Sequence, residues 1–460
     1  MLHILGNSIR SCDGIARREL LQAGGAGLLG MSLPKLLAAE AVQTPLAARA
    51  KAVLFVFLYG GPSQLETFDM KPEAPSGIRG PFRAIAARTP DLRICEHLPR
   101  LAERSDRYAV VRTVNHPQND HNGTHFIQTG HALPPANRGA ANVAATEKDW
   151  PAFGSVISYL DKHHRNSSPG NANPFPPYVY LPKPLGHFAG YDINGQYAGW
   201  LGKAYDPMAT AIQKRHATDN PYFRDSLLAQ FDAQRRRLDQ SSGVRNFTIQ
   251  HGQAMNLLTS DKVAAAFDIR RERDALRDHY GRNLFGQSLL MGRRLIEAGA
   301  RFVTVAWDMA VRGDDTTSWD SHRDLTRVMQ NHLLPVLDRG LPALLDDMRD
   351  SGLLDETLVF VSGEMGRTPK FQNRGAQDGR DHWTYCFPCL FAGAGTRGGT
   401  IYGESDKHAA YPLTNPVSPG DLAATIYDSL GISPNLRIPN PLGQPVPLVE
   451  SGKPLKKLFG

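Results

Sequence analysis

The sequence predicts an α/β fold: a three-layer α/β/α sandwich with a mostly parallel central sheet. Three observations lead there. Short, continuous apolar runs recur along the 460 residues, and none alternates with polar residues, so each reads as a strand buried on both faces. Helical stretches separate several of these runs, the pattern of a sheet covered on both sides. Polar residues that carry chemistry cluster just beyond the ends of the runs, where ligands bind in open α/β sheets.

The runs follow in order. The first is "AVLFVFLY", 52–59, stopped by Gly60-Gly61-Pro62. The second is "YAVVRTV", 108–114, and the third is "RFVTVAW", 301–307, which follows a helical stretch over 286–298. The fourth, "TLVFVS", 357–362, follows a long helical stretch around 322–350, and a fifth covers 385–392. Residues 166–205 are rich in Pro, Gly and Asn and read as extended loop. With the polar stretch after them they make 165–260 an inserted cap on a single domain spanning 42–460, without internal repeats.

Apolar residues make up 41% and charged residues 21%, the balance of a soluble globular protein. The net charge of +7 is not gathered into a Lys/Arg block interleaved with aromatics, which excludes nucleic acid as a partner. Four cysteines, Cys12, Cys95, Cys386 and Cys389, do not make a disulfide framework in a chain this long. Cys386 and Cys389 form a C-x-x-C in the fifth run. Residues three apart on a strand face opposite ways, so both read as small core residues; Pro388 between them leaves a disulfide or redox role open through a bend.

Residues 1–41 read as an export address. Arg17-Arg18 precede a Gly/Ala/Leu stretch and a small-x-small Ala39-Glu40-Ala41, the twin-arginine layout. That implies a periplasmic or extracellular protein with no stable membrane span after cleavage. The stretch is too short and too Gly-rich for a span of ~20 apolar residues.

Beyond the strand ends stand the candidate site residues. After the first run come Ser63 and Gln64. After the second, "NHPQNDHNGTHFIQTGH" holds His121 and His125, four apart and on one face if the segment is helical, with Thr124 at the helix entry as a cap, an anion contact or a nucleophile. Asp308 follows the third run, and "SWDSH" beyond it brings Asp320 and His322. After the fourth come Glu364 and Arg367, the latter a natural partner for a phosphate or sulfate group. Asp381-His382 open the fifth run, and Asp381 there either binds a metal or orients a ring. That placement at a strand's start requires an antiparallel strand or a loop folded back over the ligand edge. Mixed imidazole and carboxylate donors suit one or two divalent ions (Zn, Mn, Fe or Mg), and such ions promote ester hydrolysis as Lewis acids.

Read together, "YGGPSQLETFDMKP", "IRGPF", "GTHFIQTGH", "WDSH", "LLDETLVFVSGEMGRTP", "GRDHW" and "PGDLAATIYDSLGI" resemble the DUF1501 family over about residues 50–447. The resemblance implies a twin-arginine signal and an alkaline-phosphatase-like fold of the phosphatase and sulfatase superfamily. That superfamily binds two metals through Asp and His and attacks with Ser, Thr or a modified Cys. Carried onto this chain, it makes Asp320, His322, Glu364 and His382 the ligands. Three departures follow. The first strand ends in Gly60-Gly61-Pro62-Ser63 where such hydrolases have a metal-binding Asp. Glu364-Met365 replaces the usual Asp-His pair. The C-x-P-x-R motif that matures to formylglycine is absent, and Cys95 in "ICEHLP" fits nothing of that kind. Two expectations result. One is an exported metal-dependent hydrolase of small-molecule or carbohydrate phosphate or sulfate esters, not of the formylglycine type. The other is a degenerate member that binds without turnover at the cell surface.

Overall fold

The computed structural model describes residues 46–138, 140, 143–165, 175–186, 191–209, 261–307, 319–374 and 377–460. The export address, Asp308 and most of the 165–260 cap lie outside the described residues.

Eight strands form one sheet: β1 (Ala52–Phe57), β2 (Tyr108–Val114), β3 (Tyr178–Leu181), β4 (Met208–Ala209), β5 (Phe302–Ala306), β6 (Thr357–Ser362), β7 (Phe387–Ala392) and β8 (Ile401–Tyr402). Their spatial order is β8-β2-β7-β6-β1-β5-β3-β4. The five runs read from the sequence are β1, β2, β5, β6 and β7. The extended-loop reading of 166–205 is corrected at Tyr178–Leu181, which pairs in parallel with β5. This strand is four residues long and flanked by prolines, so turn-forming neighbours masked it. Among the described strands of this sheet, pairing is parallel except at β7, which runs antiparallel to both β2 and β6.

Every residue of β1, β5, β6 and β7 is buried, which is why these runs carry no polar alternation. Alternate residues feed two cores. Leu54 and Val56 of β1 join one, with the helices Leu284–Ala298 and Leu334–Asp350. Val53, Phe55 and Phe57 join the other, with the helices Phe153–Leu160 and Pro419–Ser429. This is the three-layer α/β/α arrangement. On the second face Phe360 of β6 stacks between Phe55 and Phe391, ring centroids 4.8 and 4.9 Å away, tying three neighbouring strands together. The helix Pro419–Ser429 starts sharply because Ser418 and Asp421 form a reciprocal capping box with Pro419 in the first turn.

The reversed β7 decides where the site lies. Its first residues sit at the carboxyl edge of β1, β5 and β6, so the segment feeding it arrives there too. In that segment His382–Trp383 pairs antiparallel with Gly366–Arg367, just beyond β6. The antiparallel strand that the position of His382 required is therefore present. Among the described residues no helix is long and apolar enough to cross a membrane.

Cys386 and Cys389 are free, buried thiols, and burial pushes both thiol pKa values up. Phe360 is fully buried between two rings, so Phe360→Ala should lower stability by about 3–5 kcal/mol. A fall in the urea or thermal midpoint without loss of the folded far-UV spectrum would show it; an unchanged midpoint would contradict the packing described.

Candidate metal centre

The centre is built where the loop after β5, the ribbon before β7 and the loop ahead of a short helix meet the end of β1. That end is closed by glycine for a steric reason. Gly60 has φ of +109°, and a Cβ there would lie 2.3 Å from the backbone N of Asp320. Gly61 has φ of +83°, and its Cβ would lie 2.5 Å from Cγ of Met365. Bare backbone lets the Trp319–Asp320 segment seat directly on the strand end, where the Trp319 N–H donates to the Tyr59 carbonyl at 3.1 Å.

Three candidate ligand atoms converge on that seat. Oδ1 of Asp320 lies 3.0 Å from Nε2 of His322 and 3.2 Å from Nε2 of His382, and the two imidazole nitrogens are 3.0 Å apart. A tetrahedral ion with ~2.0 Å bonds spaces its ligands by about 3.3 Å, so this tripod fits a cation with little movement. His121, Asp320 and His382 also offer ligand atoms within 4.8 Å of one another. Two imidazoles and a carboxylate suit Zn, Fe or Mn better than Mg, which prefers all-oxygen sets. The tripod faces the outside, with side-chain exposures of 27%, 33% and 19% for Asp320, His322 and His382.

Two further carboxylates orient imidazoles. Asp381 Oδ1 is 2.6 Å from Nδ1 of His322, which leaves Nε2 for the tripod. Glu364 Oε1 is 2.9 Å from Nδ1 of His121, and His121 Nε2 lies 3.2 Å from Asp320 Oδ2. Both Glu364 oxygens also accept the Gly60 N–H at 3.0 Å. The sequence left Asp381 either binding a metal or orienting a ring, and here it contacts a ring; Glu364, expected as a ligand, stands behind His121. Asp381 spends an oxygen on His322, and Glu364 is fully buried behind His121.

Arg367 is also corrected. It has no exposed surface. Its guanidinium donates to the carbonyls of Gly60, Gly61 and Arg380 and to Asp320 Oδ1 at 2.5 Å. It holds the site together and does not face a substrate. Gln64 clamps the same residue: its Nε2 donates to the Arg367 carbonyl at 2.8 Å and its Oε1 accepts the Arg367 N–H at 2.9 Å. The Ser63 hydroxyl donates to Glu66, which pairs with Arg380, an ion pair without solvent exposure on either side. Ser63 and Gln64 are therefore buried frame residues, not substrate contacts, because their polar groups are already committed.

The expected His121/His125 pair does not form. The helix starts at Gly123, after His121, so the two never share a helical face. His125 is wholly buried, and burial, helped by nearby His131, brings its pKa down to about 3. Thr124 is fully buried and its hydroxyl bonds nothing, which removes it as a nucleophile for an outside substrate. Of the expected residues the structure brings together Asp320, His322, His382 and His121, with Glu364, Asp381 and Arg367 directly behind them.

Sequence reasoning missed Glu66 and Arg380; His116, in the histidine-rich stretch after the second run, has its Nε2 2.7 Å from the Glu364 carbonyl oxygen. Burial lowers the His116 pKa to about 4, so the ring is a neutral donor there. The Arg380-Asp381-His382 triplet was one available signal, since an Arg beside two site residues at a sheet edge tends to be structural when buried.

Charge at the centre is coupled. Burial would raise Asp320, but Arg367 and the three histidines hold its carboxyl far below the usual range. Burial would lower His121, yet hydrogen bonds to Asp320 and Glu364 raise it to about 9. Asp320 raises His322, while burial lowers His382.

A family model described as "Protein of unknown function (DUF1501)" matches residues 50–459. Among solved structures, the chain is similar to the phosphonate monoester hydrolase SpPMH from Silicibacter pomeroyi: 11% identity, 89% of this chain and 76% of that one, TM-score 0.37. It is similar to the PsFucS1 sulfatase from Pseudoalteromonas sp., at 13% identity over 82% of this chain and 68% of that one, TM-score 0.35. It is also similar to an alkaline phosphatase from the Antarctic bacterium TAB5, at 12% identity over 80% of this chain and 97% of that one, TM-score 0.32. Likenesses this distant carry nothing about activity. No curated protein matches the chain.

The His121 shift predicts a pH dependence. Its pKa rises from 6.5 to about 9 on folding. Its stabilisation of the metal-free protein is complete below pH 6.5 and disappears as pH rises through 9, up to ~3 kcal/mol. Urea midpoints in chelator from pH 6 to 9.5 should fall for the wild type and much less for His121→Asn. Parallel slopes would refute the assignment.

Proposed function

The chain belongs to the DUF1501 family, and from its site we propose that it is an exported, metal-dependent hydrolase of phosphate or sulfate esters. The observation that carries this reading is the tripod of Asp320, His322 and His382, open to solvent and flanked by a His121–Glu364 pair.

A divalent ion in the tripod would supply Lewis-acid polarisation of the ester's non-bridging oxygens. The other steps belong to the chain. Asp381 fixes the His322 ring and Arg367 fixes the Asp320 carboxylate, so the ligands need no reorganisation. Glu364 accepts from Nδ1 of His121, which turns Nε2 to Asp320 Oδ2 at 3.2 Å, beside the tripod. With its pKa near 9 that nitrogen carries a proton at neutral pH. In this reading the proton moves from its contact with Asp320 to an anionic ester oxygen when substrate binds, and from there to the leaving group. With Thr124 buried, water is the nucleophile. A formylglycine mechanism has no support, since the described cysteines Cys95, Cys386 and Cys389 are all buried.

The proposed substrate is a carbohydrate ester, and the surface beside the site supports it. Trp383 follows His382 directly and clusters with Tyr385 and Tyr411, ring centroids 5.0 and 5.5 Å away. Tyr385 is 38% exposed and Tyr411 52%. Successive ribbon residues leave on opposite faces, so this patch borders the tripod without entering it. Amphipathic rings there suit the apolar faces of a sugar.

The degenerate reading has one observation in its favour: the buried Thr124 leaves no side-chain nucleophile among the residues that converge here. Reconstituted protein assayed on aryl phosphate and aryl sulfate separates the two, and metal binding without turnover on either ester would favour the binding protein.

Two variants test the parts. Asp381→Asn should weaken metal binding about 10–100-fold, read by competition with a chromogenic chelator. Tyr411→Ala should raise KM for a sulfated or phosphorylated oligosaccharide while leaving kcat/KM for the small aryl ester unchanged. An equal loss on both would remove the sugar role.

A further inference from the structure

The proposed hydrolase reading leaves the number of ions open, and the donors around the tripod bear on it. A dinuclear site needs a second set of ligands around a point about 3.5–4 Å from the first ion. We infer that this centre takes one divalent ion, because Arg367 and His121 hold the groups that a second ion would need.

Among the described residues beside the tripod, these donors are already engaged. The end of β1 cannot supply one. A Cβ at Gly60 would fall 2.3 Å from the Asp320 N and 2.8 Å from the Trp319 C, and a Cβ at Gly61 would fall 2.9 Å from the Met365 carbonyl oxygen. A carboxylate at either position would require the 319–320 or the 365 backbone to move, and at positive φ as well. Glu364 is fully buried, with both oxygens on the Gly60 N–H and one on His121. The next residue, Met365, is fully buried and offers only a thioether. His121 bridges two carboxylates, Glu364 through Nδ1 and Asp320 Oδ2 through Nε2, and so fills the space between them. Asp381 is engaged by His322.

Arg367 adds a positive reason. Its Nη2 lies 2.5 Å from Asp320 Oδ1, the oxygen shared with the tripod. Nη2 also donates to the Gly60 carbonyl, and Nε and Nη1 donate to those of Gly61 and Arg380, so the guanidinium cannot swing aside to admit an ion. A fixed, solvent-free cation beside Asp320 neutralises the carboxylate that a second ion would share and repels that ion at short range. One metal and one guanidinium replace the two metals.

Full-length protein is stripped with chelator, refilled with excess Mn²⁺ and desalted. Metal content is then read by mass spectrometry and the spin state by electron paramagnetic resonance. One equivalent with the six-line spectrum of an isolated Mn²⁺ is expected. Two equivalents, or an exchange-coupled spectrum, would overturn the inference while leaving the hydrolase reading intact. Folded wild type that takes up no Mn²⁺, Zn²⁺ or Fe²⁺ would overturn the hydrolase reading itself. His382→Ala, checked for folding by circular dichroism, should hold less than about a tenth of an equivalent, since the tripod loses one of its three donors; retention of a full equivalent would place the ion elsewhere.

Discussion

The grip of Arg367 on the end of the first strand organises everything around it. One guanidinium, fully out of solvent, ties the carbonyls of Gly60 and Gly61, the carbonyl of Arg380 and the carboxylate of Asp320. These belong to three segments distant in sequence: the end of β1, the segment before β7, and the loop after β5. A buried cation is tolerated only when every donor is met, and here backbone carbonyls do most of that work. The planar fork suits this role in a way an ammonium does not. Because Arg367 stands at the start of a ribbon whose partner strand carries His382, the same residue that closes the frame also sets the distance between Asp320 and His382.

A second buried pair stands behind the first. Arg380 and Glu66 meet without solvent on either side, and Arg380 also donates to the carbonyls of Ile78, Thr368 and Pro369. Buried ion pairs give little net stability compared with apolar packing. Their geometry, however, is unforgiving, and loops cannot easily find another arrangement that satisfies so many donors. In this protein such pairs fasten the loops whose positions matter most to the ligand atoms. The sheet supplies rigidity by apolar burial; the loops above it are fixed by charge.

How much of this the sequence disclosed follows from which interactions are local. The five long apolar runs were legible because each is buried on both faces, and that leaves an unbroken signature. The short Tyr178–Leu181 strand was not, since four residues between prolines carry no periodicity. Asp320, His322 and His382 could be nominated by type and by position after a strand. Their division of labour with Glu364 and Asp381 could not, because it depends on which nitrogen faces which oxygen across 59 residues in one case and 243 in another. Arg367 read as an anion receptor for the same reason. An arginine at the ligand edge looks alike in sequence whether its fork points outward or back into three carbonyls.

The two glycines at the end of the first strand have a steric role of their own. In isolation Gly60-Gly61 at the end of the first strand reads as decay of a metal-binding position. In the fold those glycines let the Asp320 backbone approach to where no side chain would fit, and the Gly60 N–H caps both oxygens of Glu364. Asp320 is thereby brought close enough for His322 and His382 to meet it at 3.0 and 3.2 Å. Placing a carboxylate at the strand end would push away the residue on which the tripod is centred. The glycines and the tripod are one arrangement, and the closure of the strand end is what brings Asp320, His322 and His382 together.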